Sequence, residues 1–207
     1  MTFLISMTKS MNNLPNRRGF MIGCAASIAM ISTPVQAFST NKAKALIGSA
    51  VDAINSIINS GASEATMLRK FESVFTNYAD VKRIAQLVLG PDGRTASANQ
   101  KSAFEKAFQT YISRKYGRRF REFIGGRVVV NGAKAVKSYY EVTTTAHLQG
   151  EAPFSVVFVV ADSNGRFIDM KIEGISLIKA ERTEVGAMLD KRGGNLDRLI
   201  AHLKAMG

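Results

Sequence analysis

Apolar residues recur at helical spacing through the first half of the chain and switch to alternation in the second. Within residues 42–60, Ile47, Val51, Ile54 and Ile58 mark one face of a helix. Met67, Leu68, Phe71 and Phe75 mark a second. Val81, Ile84, Ala85, Val88 and Leu89 mark a third, with Asn77 as its expected cap. Gly90 is a natural stop, and Pro91-Asp92-Gly93 reads as a turn. Ser97-Ala98-Asn99-Gln100 is a capping box, because the Ser and Gln side chains can each satisfy an otherwise orphaned backbone N–H. A long helix is expected after it, with Phe104, Phe108, Tyr111 and Ile112 on one face. Gly117 is a candidate bend, the pattern runs on to Phe120 and Phe123, and Gly125-Gly126 ends it.

From residue 127 the period is two. Val128-Val129-Val130 reads as a short strand closed by an Asn131-Gly132 turn. Tyr140, Val142, Thr144, Ala146 and Leu148 alternate with Tyr139, Glu141, Thr143 and His147, as in a half-buried strand. Ser155 to Ala161 is apolar on both faces. Asp162-Ser163-Asn164-Gly165 is a hairpin turn, and Phe167 to Ile172 pairs back. Helices at Leu177–Leu189 and Leu196–Met206 close the chain, separated by Gly193-Gly194, with Asn195 a cap. Helices followed by a meander of strands predict an α+β domain: an antiparallel sheet of about four strands with a helical layer on one face. Residues 38–207 are expected to form this single domain.

The first 37 residues stand apart. Arg17-Arg18 precedes an apolar run reaching Ile31, and Val35-Gln36-Ala37 supplies small residues for cleavage after Ala37. This predicts an exported protein whose leader is removed. Asn16-Arg17-Arg18-Gly19-Phe20-Met21 resembles a twin-arginine signal, and a general secretion signal fits as well. Cys24 precedes the apolar run instead of following it, which argues against lipidation. Cleavage removes Lys9, Arg17 and Arg18 and no acid, taking the formal charge from +12 to +9. It also removes the single cysteine, and with it any disulfide, thiolate metal site or cysteine nucleophile. The remainder has no apolar run of membrane-spanning length, so a soluble periplasmic protein is expected.

No sequence signature of a nucleophile elbow, phosphate-binding loop, dinucleotide site or zinc protease is present. The two histidines, His147 and His202, are far apart in sequence. No enzyme activity, cofactor or metal is expected. Arg114, Lys115, Arg118, Arg119 and Arg121 crowd one stretch of the long helix. A solvated helical face is the plain reading, and export argues against nucleic acid. Contact with anionic headgroups or an acidic partner is the functional reading.

From Tyr78 onward the sequence resembles a known family. Tyr78-Ala79-Asp80-Val81-Lys82-Arg83-Ile84-Ala85, Val88-Leu89-Gly90, and Arg94-Thr95-Ala96-Ser97 with Gln100 and Phe104 are similar to the central helices of MlaC, the toluene-tolerance family, which includes hopanoid-associated members. Gly165 through Ile178 resembles that family's strand-to-helix signature, with Glu173-Gly174-Ile175-Ser176 its most specific part. Glu184 and Asp197-Arg198-Leu199-Ile200 fall where the family has its C-terminal helices. Two positions depart from the pattern. Asp92-Gly93 stands where the family usually has an aromatic pair, and Phe167 where it usually has tryptophan.

The resemblance implies a curved sheet packed on helices around an apolar cavity for acyl chains. It implies a periplasmic carrier shuttling phospholipid between an inner-membrane ABC transporter complex and an outer-membrane lipoprotein complex. A monomer is expected. The alternatives are a hopanoid or other rigid-lipid cargo, a periplasmic enzyme or solvent-tolerance factor using the same cavity as an active site, and a basic adaptor that only docks on membrane complexes. Such a carrier needs no reactive group. Each acyl CH₂ bared to water costs about 0.8 kcal/mol, so two chains of about 16 carbons cost on the order of 25 kcal/mol. A dry pocket comparable to the bilayer removes that barrier. Val142, Val157, Val159, Met170 and Ile172 from the strands, and Val88, Leu89, Phe104, Phe108 and Tyr111 from the helices, are the expected cavity residues. Headgroup or partner contacts are expected from Arg114, Lys115, Arg118, Arg119 and Arg121. A one-residue slip would exchange the strand faces, so the sequence leaves both open.

Overall fold

Ser39 opens the first helix by accepting a hydrogen bond from the Lys42 N–H at 3.3 Å. From there the computed structural model describes residues 38–207 as one folded unit. The expected leader, residues 1–37, lies outside the described residues, as do the side chains of Phe120 and Arg121.

Helix α1 (Thr40–Ile58) buries Ala43, Ile47, Ala50, Val51 and Ile54 along one stripe, as its spacing dictates. Helix α2 (Glu64–Tyr78) follows, then α3 (Val81–Leu89). Asp80, not Asn77, caps α3 by accepting from the Arg83 N–H at 3.0 Å. Asn77 is still inside α2, so the boundary falls three residues later than its polar side chain suggested. Gly90 ends α3 at φ 60°, with the Arg182 guanidinium packed where a Cβ would stand. The capping box forms as expected, with Ser97 Oγ accepting from Gln100 N and Gln100 Oε1 accepting from Ser97 N. Helix α4 (Ala98–Arg119) runs unbroken through Gly117. A Cβ on Gly117 would lie 2.6 Å from Leu68 Cδ2, so the glycine admits α2 against α4. A 3-10 turn (Phe120–Phe123) follows it.

The sheet is an antiparallel meander of strands β1 (Arg127–Val136), β2 (Tyr139–His147), β3 (Phe154–Ala161), β4 (Phe167–Ile172) and β5 (Ile175–Ser176), paired in chain order. The expected break at Asn131-Gly132 is instead a bulge. Val130 pairs with Thr144 and Gly132 with Thr143, so β1 absorbs Asn131 and continues to Val136. The reversal comes at Lys137-Ser138, with Lys137 at φ 54°. Helices α5 (Leu177–Asp190), capped by Ser176, and α6 (Leu196–Met206), capped by Asn195, close the fold.

The helices pack on one sheet face, where Val142, Thr144 and Ala146 of β2 and Val156, Phe158 and Val160 of β3 are buried. Two ties fix the layers. The Asn55 side-chain amide of α1 accepts from the Val128 N–H at 2.9 Å and donates to its carbonyl at 3.0 Å, as another strand would. At the α2–α3 junction, Asp80 N donates to the Phe167 carbonyl at 2.9 Å and Arg166 Nη1 donates to the Thr76 and Ala79 carbonyls. Most buried apolar residues form one core. Ile54, Ile57, Ile58 and Phe71 form a smaller cluster at the α1–α2 corner.

On the opposite sheet face Glu141 takes Lys171 at 2.7 Å and Lys134 at 3.2 Å. The Lys171 hydrogen bond, then that of Lys134, holds the Glu141 carboxyl below its ordinary range. A folded-state pKa below the unfolded one gives stability that is present above about pH 4.3 and lost as pH falls through the folded value. The thermal midpoint should therefore drop on acidification below about pH 4.3, and drop less steeply in Glu141→Gln. An equally steep drop in that variant would refute the assignment.

Candidate functional site

Between the helical layer and the sheet lies a cavity of about 270 Å³, close to the lower end of small-molecule sites, about 300–1,000 Å³. Its walls follow from the elements already placed. Helix α1 contributes Ala50 and Ile54, helix α2 Phe71, Val74 and Phe75, and helix α4 Ile112, Ser113 and Tyr116. The sheet contributes Ala146, Val156, Phe158, Phe167, Met170 and Ile172, all on the face turned to the helices. Edge contacts between aromatic rings stiffen the floor, with Phe158 and Phe167 centroids 5.6 Å apart and Phe123 and Phe154 6.1 Å apart. The wall is apolar apart from Ser113, the Tyr116 hydroxyl and three charged residues, Arg119, Glu122 and Glu151. Those three are exposed, so we take their part of the wall as the mouth.

The expected cavity residues divide into three groups. Met170 and Ile172 line the cavity. Val88 and Phe108 border a second hollow of about 10 Å³, beside Met170. Leu89, Phe104, Tyr111 and Val142 are buried in the core, and Phe104 stacks on Phe108 at 5.7 Å. Val157 and Val159 need correction, because they lie on the other sheet face. Val142 sits opposite Phe158 and Thr144 opposite Val156, so the parity of β3 turns Val156 and Phe158 to the helices. The contributions of α1 and α2 were not anticipated. Their helical stripes were visible, but which part of a stripe meets a cavity depends on contacts distant in sequence.

The basic run on α4 also divides. Arg114 and Arg118 are exposed, and Arg119 stands at the mouth. Lys115 turns inward, which corrects its expected role in docking. Its Nζ donates to Glu181 Oε1 at 2.7 Å, to Tyr111 Oη at 3.2 Å and to Glu184, using all three protons. Tyr116 donates to Glu181 Oε1 at 2.6 Å, and Tyr111 to Glu184 Oε1 at 2.9 Å. Glu181 is only 1% exposed, so Lys115 is the counter-charge that makes its burial tolerable. Burial pushes both tyrosine hydroxyls up, and the neighbouring carboxylates add to it. Burial alone would lower Lys115, but its bonds to Glu181 and Glu184 outweigh this and raise it. Burial alone would likewise raise Glu184, and the bonds from Lys115 and Tyr111 bring it below its ordinary range. This network ties α4 to α5 beside the cavity.

Among the described residues no three His, Cys, Asp or Glu side chains group to hold a metal ion, and no helix is long and apolar enough to cross a membrane. The arrangement can enclose apolar chain and meet a polar group at its mouth.

A family model described as MlaC protein matches residues 48–205. A similar solved structure is that of a phospholipid-binding protein from Ralstonia solanacearum, determined in complex with a phospholipid. It aligns with a TM-score of 0.67 at 21% identity, covering 79% of this chain and 96% of that one. Its helices-on-sheet fold is the fold seen here.

Proposed function

The chain belongs to the MlaC protein family, and from that membership we propose that it is a phospholipid carrier of the periplasm. The acyl chains sit in the cavity between helices and sheet, and the headgroup sits at the mouth beside Arg119, Glu122 and Glu151. Cargo passes between an inner-membrane ABC transporter complex and an outer-membrane lipoprotein complex, maintaining the lipid asymmetry of the outer membrane. No bond is made or broken on the way. The observation that carries this reading is a largely apolar cavity of about 270 Å³ whose three charged wall residues are all exposed. The bound phospholipid in the Ralstonia solanacearum structure supports it.

Physically, the cavity substitutes for the bilayer. Exchange between two environments of similar apolarity is nearly isoenergetic, so release needs no chemistry, and a much tighter pocket would trap its cargo. Organic extraction of the purified protein followed by mass spectrometry should return diacyl phospholipid in near-stoichiometric amount. A polycyclic lipid in its place would transfer the same mechanism to a hopanoid cargo. Protein that is reproducibly lipid-free, and that takes none from vesicles, would refute carriage and favour an adaptor.

A further inference from the structure

The charged part of the cavity wall is built where two loops meet. The antiparallel register brings the start of β1, the end of β2 and the start of β3 to one end of the sheet, with Arg127 opposite His147 and Ala146 opposite Phe154. Two connections enter there. The 3-10 turn after α4 carries Glu122 and Phe123, and the β2–β3 loop carries Glu151. The Phe123 and Phe154 rings meet edge to face between them at 6.1 Å. Gly125 packs on the Gln149 side chain and Gly126 on the His147 carbonyl, with no room for a Cβ at either. The two loops thus form one rim, and Arg119, at the end of α4, stands three residues before Glu122.

This rim runs against the charge of the chain. Residues 38–207 carry a formal +9, yet the charged wall residues are one cation and two anions, Arg119, Glu122 and Glu151. All three are exposed, and none of them forms an ion pair with another described residue. A lone guanidinium matches a phosphate, which it can hold by two parallel hydrogen bonds. Two free carboxylates beside it match a group of the opposite charge. A chain this basic attracts anionic lipid at long range. The carboxylates oppose that attraction at the place where the headgroup meets the protein.

We infer that Glu122 and Glu151 make the mouth selective for a zwitterionic headgroup bearing a primary ammonium, as in phosphatidylethanolamine, over an anionic one such as phosphatidylglycerol. The inference rests on the carrier reading and deepens it. Both headgroups offer Arg119 the same phosphate. The ethanolamine ammonium stands two carbons from that phosphate and brings three N–H donors, which the carboxylates accept. Phosphoglycerol brings neutral hydroxyls instead, and its net negative charge is repelled by the same two carboxylates.

The test is a competition. Delipidated wild type and the double variant Glu122→Gln/Glu151→Gln are incubated with vesicles holding equal amounts of phosphatidylethanolamine and phosphatidylglycerol with the same acyl chains. Loaded lipid is counted by mass spectrometry. The ratio of ethanolamine to glycerol lipid should be about three- to tenfold higher in the wild type, the size of two solvent-exposed ion pairs. Glu122→Lys/Glu151→Lys should lower the ratio further still. All these positions are exposed, so the thermal midpoints should match that of the wild type. An equal ratio in the wild type and the glutamine variant, or a ratio that the lysine variant leaves in place, would overturn the inference and leave carriage intact. A wild type that loads neither lipid would overturn carriage itself.

Discussion

Val156→Trp is expected to lower phospholipid loading about a hundredfold while the protein still folds. Val156 is buried on the cavity face of β3, and its neighbours there are Phe158 and Ile172. A rigid indole at this position occupies volume that tail methylenes would fill. Displacing about four methylenes back into water costs about 3 kcal/mol, which is about a hundredfold in affinity. Val156 is a wall residue of the cavity, so part of the ring can enter open volume and the strain that normally accompanies small-to-large substitution is reduced. Val157→Trp is the matched control, one residue along and on the opposite face. It should load lipid as the wild type does. Loading is read by lipid extraction and mass spectrometry, with a thermal melt beside it. If the two variants behave alike, the lipid does not lie between this sheet face and the helices.

The second large effect concerns Lys115. Lys115→Met removes the counter-charge of Glu181, which is only 1% exposed, while Lys115 itself is 29% exposed. Breaking a buried pair costs about 3–5 kcal/mol, and partial access to solvent brings the expectation to about 2–3 kcal/mol. For a domain of this size that lowers the thermal midpoint by about 5–10 °C at pH 7. A second substitution identifies the cause: Glu181→Gln in the Lys115→Met background removes the unpaired buried carboxylate and should recover much of the deficit at pH 7. An unchanged midpoint at pH 7 would show that the network does not hold α4 to α5.

Much of this architecture is legible in the residues. The apolar stripes of the first four helices, the Ser97–Gln100 box and the Asp162–Gly165 turn are local signals, and local geometry decides them. The face of β2 was readable because polar and apolar residues alternate there. The face of β3 was not, because Phe154 to Ala161 is apolar on both sides and only its pairing with β2 sets the parity. Asn131-Gly132 carries the strongest hairpin signal in the chain, yet register across β1 and β2 makes it a bulge. Lys115 looks like its basic neighbours Arg114 and Arg118 until α5 brings Glu181 against it. The family resemblance supplied the existence of a cavity. Its placement against α1 and α2 required contacts that span most of the chain.

An open meander leaves β1 with one side unpaired, and such a margin invites a second chain to add a strand there. The Asn55 amide occupies both backbone groups of Val128 on that side, so one rung of the template is already taken. The Asn131 bulge twists the strand just beyond it, and Arg127 and Lys134 add charge at either end. A helix side chain imitating a strand thus protects the molecule from polymerising edge to edge.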